Sequence, residues 1–325
     1  MTIGKCTSAN MEAFLVAESA MATLFILLAL GFIARKTGIV DDSFDTTLSK
    51  VVMTITCPAM ILNSVLSSTE SPSTDTILLI LGISCVTYVV ILVAAWLLPL
   101  VYRVPKRSRG PHRFTIAFGN TGFIGFAVLG AIMGGQSVLY ASIYNIPYNL
   151  IMFTIGTAMM ATSGDVKMSR TDQFKTVGRS LVSPVMLSCV VALFLALFHV
   201  TDTEGIAGKT CQMLGQMTPP ASMLVIGSTM AKFNLKTMLG NASAYVTTFV
   251  RLLIVPALVF LVGGFFTTDP FLLAALVLVS AMPVASMGTI MCLTYGGDLT
   301  TMSQCTFLST ALSLITIPLV AAFVL

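Results

Sequence analysis

Long apolar runs separated by short polar segments repeat along almost the whole chain of 325 residues. A helix that crosses a lipid bilayer needs about 20 mostly apolar residues. Reading each run between its flanking charges, glycines and prolines predicts an all-α membrane protein of ten transmembrane helices. The predicted bounds are 12–34, 48–68, 76–101, 113–134, 137–162, 179–200, 207–231, 238–266, 270–294 and 300–324.

The first apolar run shares one feature with a secretory signal, since Lys5 precedes it. The run extends from Met11 to Ala34, however, which is longer than the apolar region of a signal peptide. Its positive flank, Arg35-Lys36, lies on the far side. We therefore interpret it as the first transmembrane helix.

The composition agrees with a single membrane domain. Hydrophobic residues make up 56% of the chain and charged residues only 9%, against about 25% charged residues in soluble domains. The net charge of +4 comes with no basic tail, so membrane lipid is an expected partner and nucleic acid is not. None of the seven cysteines forms a CxxC pair, and we interpret them as packing residues rather than metal ligands.

Basic residues predict the orientation of the helices, because they accumulate on the cytoplasmic side. With the N-terminus outside, most of the 17 Lys and Arg residues fall in cytoplasmic loops. This favours a multi-pass protein of the plasma (cell inner) membrane with both termini outside the cytoplasm. The residues placed inside are Arg35, Lys36, Lys50, Arg103, Lys106, Arg107, Arg109, Arg113, Lys167, Arg170, Lys175, Arg179, Lys232 and Lys236.

Segments that interrupt the helices recur at one spacing. Pro58 and Asn120 are 62 positions apart, as are Pro220 and Met282, which precedes Pro283. The interruptions fall in helices two, four, seven and nine. The spacing predicts two five-helix repeats, 1–165 and 166–325, and an odd number of helices makes the second repeat inverted. Inverted repeats are typical of secondary transporters, which bind substrate where discontinuous helices meet.

The segment Gly119–Phe126, GNTGFIGF, lies in the middle of the fourth predicted helix. Three glycines weaken the helix there, and an Asn-Thr pair needs hydrogen-bond partners or a water-filled cavity. The start of a half-helix carries partial positive charge and suits a carboxylate. We expect Asn120, Thr121 and Gly122 to bind substrate and Gly125 to belong to the break. Close helix packing is the alternative, since Gly130 and Gly134 form a small-xxx-small pair.

The segment Ser280–Thr289, SAMPVASMGT, occupies the matching position in the ninth predicted helix. Pro283 removes one main-chain hydrogen bond and blocks another, which leaves carbonyl groups free for a substrate or an ion. We expect Pro283, Ser286 and Thr289 to contact substrate. A simple proline kink is the alternative.

Two ionisable residues fall inside predicted helices. Arg251 lies near the middle of the eighth helix, where an unpaired cation is costly, so we expect it to grip a substrate carboxylate. A structural pair with a protein carboxylate or with main-chain carbonyls is the alternative. Glu18 lies near the outer end of the first helix and is a candidate for proton coupling. The alternative is that its side chain reaches the membrane surface.

Further polar residues are candidates for lining the same cavity. Asn145 in the fifth helix stands among Tyr144, Pro147 and Asn149, and Gln304 is the nearest equivalent in the tenth helix. Hydrogen bonds between helices explain them equally well.

Several motifs, taken in order along nearly the whole chain, resemble the auxin efflux carrier family, which includes bacterial carriers of organic acids and the plant PIN proteins. They are TCPAMIL, GNTGFIGF with LGAIMG, YASIYNIPYNLIMFTIG, TPPASMLVIGSTMA and AMPVASMGTIMCLTYGGD. The resemblance implies ten helices in an inverted repeat, a scaffold of helices one, two, six and seven, and a transport domain of helices three to five and eight to ten. It also implies a crossover of broken helices four and nine, a homodimer and alternating access.

The sequence departs from the family pattern at two positions. Ala127 replaces a common proline after GNTGFIG, and Met287 replaces a frequent asparagine after the Met-Pro pair. The break in the fourth helix would then depend on glycine rather than proline, and Ser286 and Thr289 would make the substrate contacts in the second half.

These observations predict a secondary transporter of small organic anions, such as malate, malonate or auxin-like acids. A channel is the first alternative, although no selectivity-filter loop is evident. A nontransporting sensor on the same scaffold is the second. An enzyme is disfavoured, because we expect His112 in a basic loop and His199 at a helix end, with no paired carboxylates in the membrane. No cofactor or metal is expected, and coupling to sodium, to protons or to exchange stays open.

Overall fold

The structure is a computed structural model that describes residues 22–67, 72–161, 163, 182–203, 205–232, 234, 238–295 and 297–325. Within these ranges every regular element is helical, and the only strand-like pairing is an isolated bridge between Gly119 and Val284. The predicted all-α class is therefore confirmed for the described part of the chain. Glu18, the predicted coupling residue, lies outside the described residues.

We number the helices in chain order. They are α1 (22–36), α2 (Asp42–Leu66), α3 (Thr74–Val101), α4 (Arg109–Ala117), α5 (Thr121–Met133), α6 (Gly135–Ala161), α7 (Pro184–Leu197), α8 (Ile206–Gln216), α9 (Thr218–Met230), α10 (Ala242–Phe266), α11 (Pro270–Ser280), α12 (Met287–Tyr295) and α13 (Leu299–Val324).

Five described helices are long and apolar enough to cross a membrane, namely α2, α3, α6, α10 and α13. The helices α5, α7 and α11 are apolar but shorter. Many large apolar side chains stay exposed on the outer faces of these helices, including Leu78, Val89 and Leu261. A surface of this kind is matched to lipid rather than to water.

Side-chain caps fix the start of several helices. Ser73 accepts a hydrogen bond from the N–H of Thr76 at the start of α3, and Asp269 accepts one from Phe271 at the start of α11. Such caps satisfy N–H groups that have no partner inside the helix. They explain why two of the most apolar helices begin at a short polar residue.

The prolines expected to interrupt helices two and seven have smaller effects than predicted. Helix α2 is continuous through Pro58, and a π-helical segment, Val52–Thr56, precedes the proline. The wider turn accommodates a residue that lacks an N–H group. Pro220 lies in the first turn of α9, where a missing N–H costs little, and only Met217 separates α8 from α9.

The predicted fourth helix is divided into α4 and α5. Helix α4 ends at Ala117, and Phe118 is extended, with φ −120° and ψ 110°. Asn120 adopts φ −81° and ψ 63°, and α5 then begins at Thr121 with a π-helical segment, Thr121–Gly125. The break falls at the predicted glycine-rich segment.

The predicted ninth helix is divided in the same manner. Helix α11 ends at Ser280, α12 begins at Met287, and the residues between them are not helical. Pro283 lies in the centre of this interruption, as predicted. Both breaks are buried among other helices, because Asn120 is 9% exposed and Met282 is fully buried.

One sequence-based expectation about His112 is wrong. Helix α4 begins at Arg109, four residues before the predicted start, and places His112 on its buried side. The ring lies inside the protein rather than in a basic loop. The misplacement arose because Arg109 and Arg113 flank the histidine and give the segment the composition of a loop.

A cluster of four charged residues joins one end of α1, α2 and α9. Lys232 Nζ lies 2.6 Å from Asp42 and 2.5 Å from Asp45, and Arg35 lies 2.5 Å from Asp42. Asp45 is almost fully buried. A buried carboxylate is tolerated only when it is paired, so the cluster fixes these three helices against one another.

Replacing Lys232 with methionine is expected to lower the melting temperature at pH 7 by about 2–4 °C, since Asp45 then keeps only the more distant Arg35. Hydrogen bonds from Lys232 and Arg35 lower the pKa of Asp42. A lowered carboxylate pKa contributes stability that is present above the ordinary value, about 3.9, and is lost as pH falls through the lowered value. The difference between variant and parent should therefore persist from pH 7 to pH 5, as measured by thermal unfolding in detergent. Exposed Lys50→Met is the matched control, and an equal effect of both variants would contradict the assignment.

Candidate functional site

The two interruptions lie against each other and form a crossover. The N–H of Asn120 donates to the carbonyl of Pro283 at 2.6 Å, and the N–H of Ala285 donates to the carbonyl of Phe118 at 3.0 Å. These bonds pair residues 118–120 with residues 283–285 in antiparallel directions. Main-chain N–H and C=O groups that have no helical partner at the breaks therefore bond to each other across the crossover, as the membrane interior requires.

Side chains strengthen the crossover. Asn120 Nδ2 donates to Ser286 Oγ at 3.3 Å, and Asn120 Oδ1 accepts from the N–H of Phe123 at 3.2 Å. Asn120 is therefore both the N-terminal cap of α5 and a bridge to the second break. The N–H of Val284 donates to Ser309 Oγ on α13 at 3.2 Å.

Arg251 binds the main chain on the other side of the crossover. Its side chain is 2% exposed, and it donates to three carbonyls, those of Met282 (2.9 Å), Ile116 (3.1 Å) and Ser280 (2.6 Å). No carboxylate pairs with it among the described residues. A Cβ atom at Gly119 would overlap the Arg251 guanidinium, so glycine is required there.

The position of Arg251 has an electrostatic consequence. Ile116 lies in the last turn of α4, and Ser280 is the last residue of α11. The C-terminal end of a helix carries partial negative charge, and the N-terminal end carries partial positive charge. Arg251 neutralises the two negative ends at the crossover, whereas α5 and α12 begin there with their positive ends.

A cluster of buried tyrosines closes one side of the crossover. Tyr148 donates from its hydroxyl to the carbonyl of Gly119 at 2.5 Å. Its ring lies 5.9 Å from that of Phe118 and 5.6 Å from that of Tyr88, measured between centroids. This aromatic packing excludes water from the side of the crossover that faces α3 and α6.

The opposite side, beside the start of α5, is more open. A Cβ atom built on Gly122 meets no atom within 4 Å. A narrow, partly open apolar cavity continues from Ile124 between α1, α5, α9 and α13. Its walls are almost entirely apolar and consist of Leu24, Phe25, Leu28, Ile124, Val128, Met223, Ile226, Thr310, Ser313, Leu314 and Ile317.

Three buried hydroxyl groups lie in α2 and α9, two helices that pack against the start of α5. Thr56 in α2 and Thr218 and Ser222 in α9 make no hydrogen bond to any described residue. Buried polar groups without a partner are uncommon in folded proteins. These hydroxyls are chemically suited to a polar solute.

The predicted site residues divide into those at the crossover and those elsewhere. Thr289 lies in the first turn of α12. Asn145 lies one turn before Tyr148 in α6, and Gln304 binds Asn241 away from the crossover. The predicted residues that the crossover brings together are Asn120, Thr121, Gly122, Gly125, Arg251, Pro283 and Ser286.

Sequence reasoning missed two contributors to the crossover. Tyr148 and Ser309 each bond to a main-chain group of a break, and both stand in ordinary apolar helices with no local signal. Tyr148 lies between two of the predicted polar candidates, Pro147 and Asn149, but no local pattern marks its hydroxyl. The contact itself depends on the tertiary structure.

Comparisons with known proteins identify the family of the chain. A family model described as "Membrane transport protein" matches residues 16–321. The chain belongs to that family. It is the auxin efflux carrier family, and the predicted resemblance is therefore confirmed.

Two relatives of this membrane transport protein come from archaea. An "Uncharacterized transporter" of Methanothermobacter thermautotrophicus is 23% identical over 313 residues, which cover 94% of this chain and 98% of the relative. An uncharacterized transporter of Methanocaldococcus jannaschii is 21% identical over 303 residues, or 91% of this chain and 95% of the relative. The descriptions of the family and of both relatives name transporters.

Proposed function

We propose that this membrane transport protein is a secondary carrier of small organic anions, and that it binds their carboxylate group at the crossover. The observation that carries the proposal is the division of charge around the two breaks. Arg251 occupies the carbonyls at the ends of α4 and α11. The N–H groups and partial positive charge at the start of α5 stay beside the open space at Gly122, where an anion is favoured.

Each predicted residue has a role in this proposal. Thr121 and Gly122 offer main-chain N–H groups in the first turn of α5, and Asn120 holds that turn in place. Ser286 and Thr289 supply hydroxyl groups from the second break, and Pro283 keeps that break open. Arg251 acts on the anion through its charge while its donors hold the main chain. Asn145, in α6 beside the buried tyrosines, and Gln304, bonded to Asn241, support the surrounding helices rather than the anion. Pro58, Gly125 and Pro220 shape the helices around the site.

The cavity beside α5 supports one class of acid over another. Its lining offers apolar side chains and two hydroxyl-bearing residues, Thr310 and Ser313, but no cation. A second carboxylate would lose its hydration there without a partner. We therefore propose monocarboxylates with a compact apolar body, of the auxin-like kind, over malate and malonate.

The architecture proposed for this carrier has ten transmembrane helices. Helices α4 and α5 form the fourth, α8 and α9 the seventh, and α11 and α12 the ninth. The two halves form an inverted repeat in a plasma-membrane protein with both termini outside, which works as a homodimer. Motion of helices three to five and eight to ten against helices one, two, six and seven alternates access to the crossover.

A screen by thermal unfolding tests the proposal. We expect indole-3-acetate, phenylacetate and related monocarboxylates to stabilise the purified protein more than malonate or malate. The corresponding methyl esters, which lack the charge, should give no stabilisation. Stabilisation by ester and acid alike would contradict binding at the start of α5.

Counterflow in proteoliposomes distinguishes the carrier from a channel and from a sensor. A carrier accumulates labelled acid when unlabelled acid is present on the other side, whereas a pore shows no such trans-stimulation. We expect saturable uptake with trans-stimulation by the acid that stabilises best. Binding without any flux would indicate a sensor instead.

A further inference from the structure

A second polar network lies within the membrane transport protein, apart from the crossover. His112 on α4 has no exposed surface, and both of its ring nitrogens lie within hydrogen-bond distance of hydroxyl groups on α10. Nδ1 is 2.5 Å from Thr247 Oγ1, and Nε2 is 3.2 Å from Ser243 Oγ. No described carboxylate bonds to the ring.

The neighbouring hydrogen bonds determine which ring nitrogen carries the proton. Ser243 Oγ donates its single proton to Asn241 Oδ1 at 2.7 Å, and Asn241 Nδ2 donates to Gln304 Oε1 at 2.9 Å. The Ser243 hydroxyl can therefore only accept from His112, so the ring proton is on Nε2.

The other ring nitrogen must then act as an acceptor. With Nε2 protonated in the neutral ring, Nδ1 accepts from the Thr247 hydroxyl, and Thr247 accepts from Tyr102, whose hydroxyl lies 2.7 Å away. A single directed chain thus runs from Tyr102 through Thr247, His112, Ser243 and Asn241 to Gln304. Tyr102, at one end of the chain, is partly exposed, and its hydroxyl provides a route for protons to the ring through Thr247.

We propose that His112 is a proton-binding site of the carrier and binds the proton that accompanies the organic anion, an inference that rests on the proposed function. A second proton enters at Nδ1 and converts the imidazole to imidazolium. The Thr247 hydroxyl then accepts from the ring and donates to Tyr102, whose own hydroxyl proton turns away from Thr247. The change needs the rotation of two hydroxyl groups and no change of helix position.

The position of His112 connects this charge to the crossover. Ile116 follows His112 by one helical turn on α4, and Arg251 follows Thr247 by one turn on α10. The contacts between His112 and Thr247 and between Ile116 and Arg251 therefore lie on successive turns of the same two helices. A positive charge at His112 raises the potential near the crossover and favours an anion there.

Charged neighbours act on the ring from several elements. Burial of His112 disfavours the charged ring, whereas Asp298, in the loop before α13, attracts it. Partial burial of Asp298 acts against its ionisation, but hydrogen bonds from Ser108 and Thr301 outweigh that effect and keep its pKa below the ordinary value. The guanidinium of Arg113 stacks on Trp96, 3.8 Å from the ring centre. The titratable and charged groups on the elements around His112 are Asp75, Cys85, Tyr88, Tyr102, Lys106, Arg107, Arg109, Arg113, Tyr140, Tyr144, Tyr148, Tyr245, Arg251, Cys292, Tyr295, Asp298 and Cys305.

The chain contains only two histidines, which allows His112 to be observed directly. In protein labelled with ¹⁵N-histidine, His199→Gln assigns the second ring, which is exposed near the end of α7. We expect His112 to be neutral with its proton on Nε2 at pH 8 and to bind a second proton on acidification. Indole-3-acetate should move this titration to higher pH, since coupling between two sites is reciprocal. A ring that stays neutral to pH 4 with and without the acid would overturn the proposal.

A binding measurement completes the test. Wild-type protein should bind indole-3-acetate at least about fivefold more tightly at pH 5.5 than at pH 8. His112→Gln should bind it with less than about a twofold difference, and His199→Gln should behave like wild type. An unchanged pH dependence in His112→Gln would overturn the role of His112. Failure of every acid to bind at any pH would instead overturn the proposed function, while the histidine spectrum would still report whether the proton site exists.

Discussion

Replacing Arg251 with methionine is expected to lower the free energy of unfolding by about 3–5 kcal/mol. Three buried carbonyl groups lose a charged donor at about 1–3 kcal/mol each, and the relieved cost of burying the guanidinium charge offsets part of this loss. The carbonyls belong to Ile116 and Ser280, in the last turns of α4 and α11, and to Met282 in the second break. Methionine fills much of the volume but offers no N–H group. The change is measured as the shift in thermal unfolding of the purified protein in detergent.

Two further variants show whether the loss comes from these three bonds. Arg251→Lys keeps the charge but lacks the planar set of five donors, so we expect it to recover only part of the stability. Arg103→Met removes an exposed arginine outside the helices and should change the melting temperature little. Equal stability of Arg251→Met and Arg103→Met would contradict the structural role given to Arg251.

Replacing Asn120 with aspartate is expected to weaken binding of the acid that stabilises best by at least about tenfold, with little loss of stability. Aspartate caps a helix as well as asparagine does, so the bond to the N–H of Phe123 is retained. Its negative charge lies at the start of α5, where we propose the substrate carboxylate binds. Two like charges in a site with little water repel each other strongly.

The same substitution at Asn63, near the C-terminal end of α2, is the matched control and should leave the affinity unchanged. Binding is measured by titration calorimetry or by the dependence of melting temperature on acid concentration. Unchanged affinity in Asn120→Asp would place the carboxylate elsewhere in the protein. A large loss of stability without acid would show that the bridge to Ser286, rather than the charge, dominates at this position.

The positions of the breaks could be predicted because their chemistry is local. Three glycines with Asn120, and Pro283 in a second apolar run, cannot continue a membrane helix without cost, and both helices are interrupted there. Prolines alone were less reliable guides. Pro58 follows a π-helical turn without breaking α2, and Pro220 begins α9. Their effects depend on the turn in which each one falls.

The contacts of Arg251 and His112 could not be derived from the sequence. A cation in an apolar helix indicates a polar partner. The sequence pattern is the same whether that partner is a substrate, a protein carboxylate or a main-chain carbonyl. The three carbonyls become available to Arg251 only where two broken helices meet α10. His112 stands among arginines and has the local composition of a loop, although packing against α10 buries it completely.

A cryo-electron microscopy map of the protein with the most stabilising acid bound tests the central claim most directly. The account predicts density for the carboxylate within hydrogen-bond distance of the N–H groups that begin α5, with the apolar body in the cavity between α1 and α9. An acid bound away from Gly122, or a fourth helix that runs unbroken through residues 118–120, would contradict it.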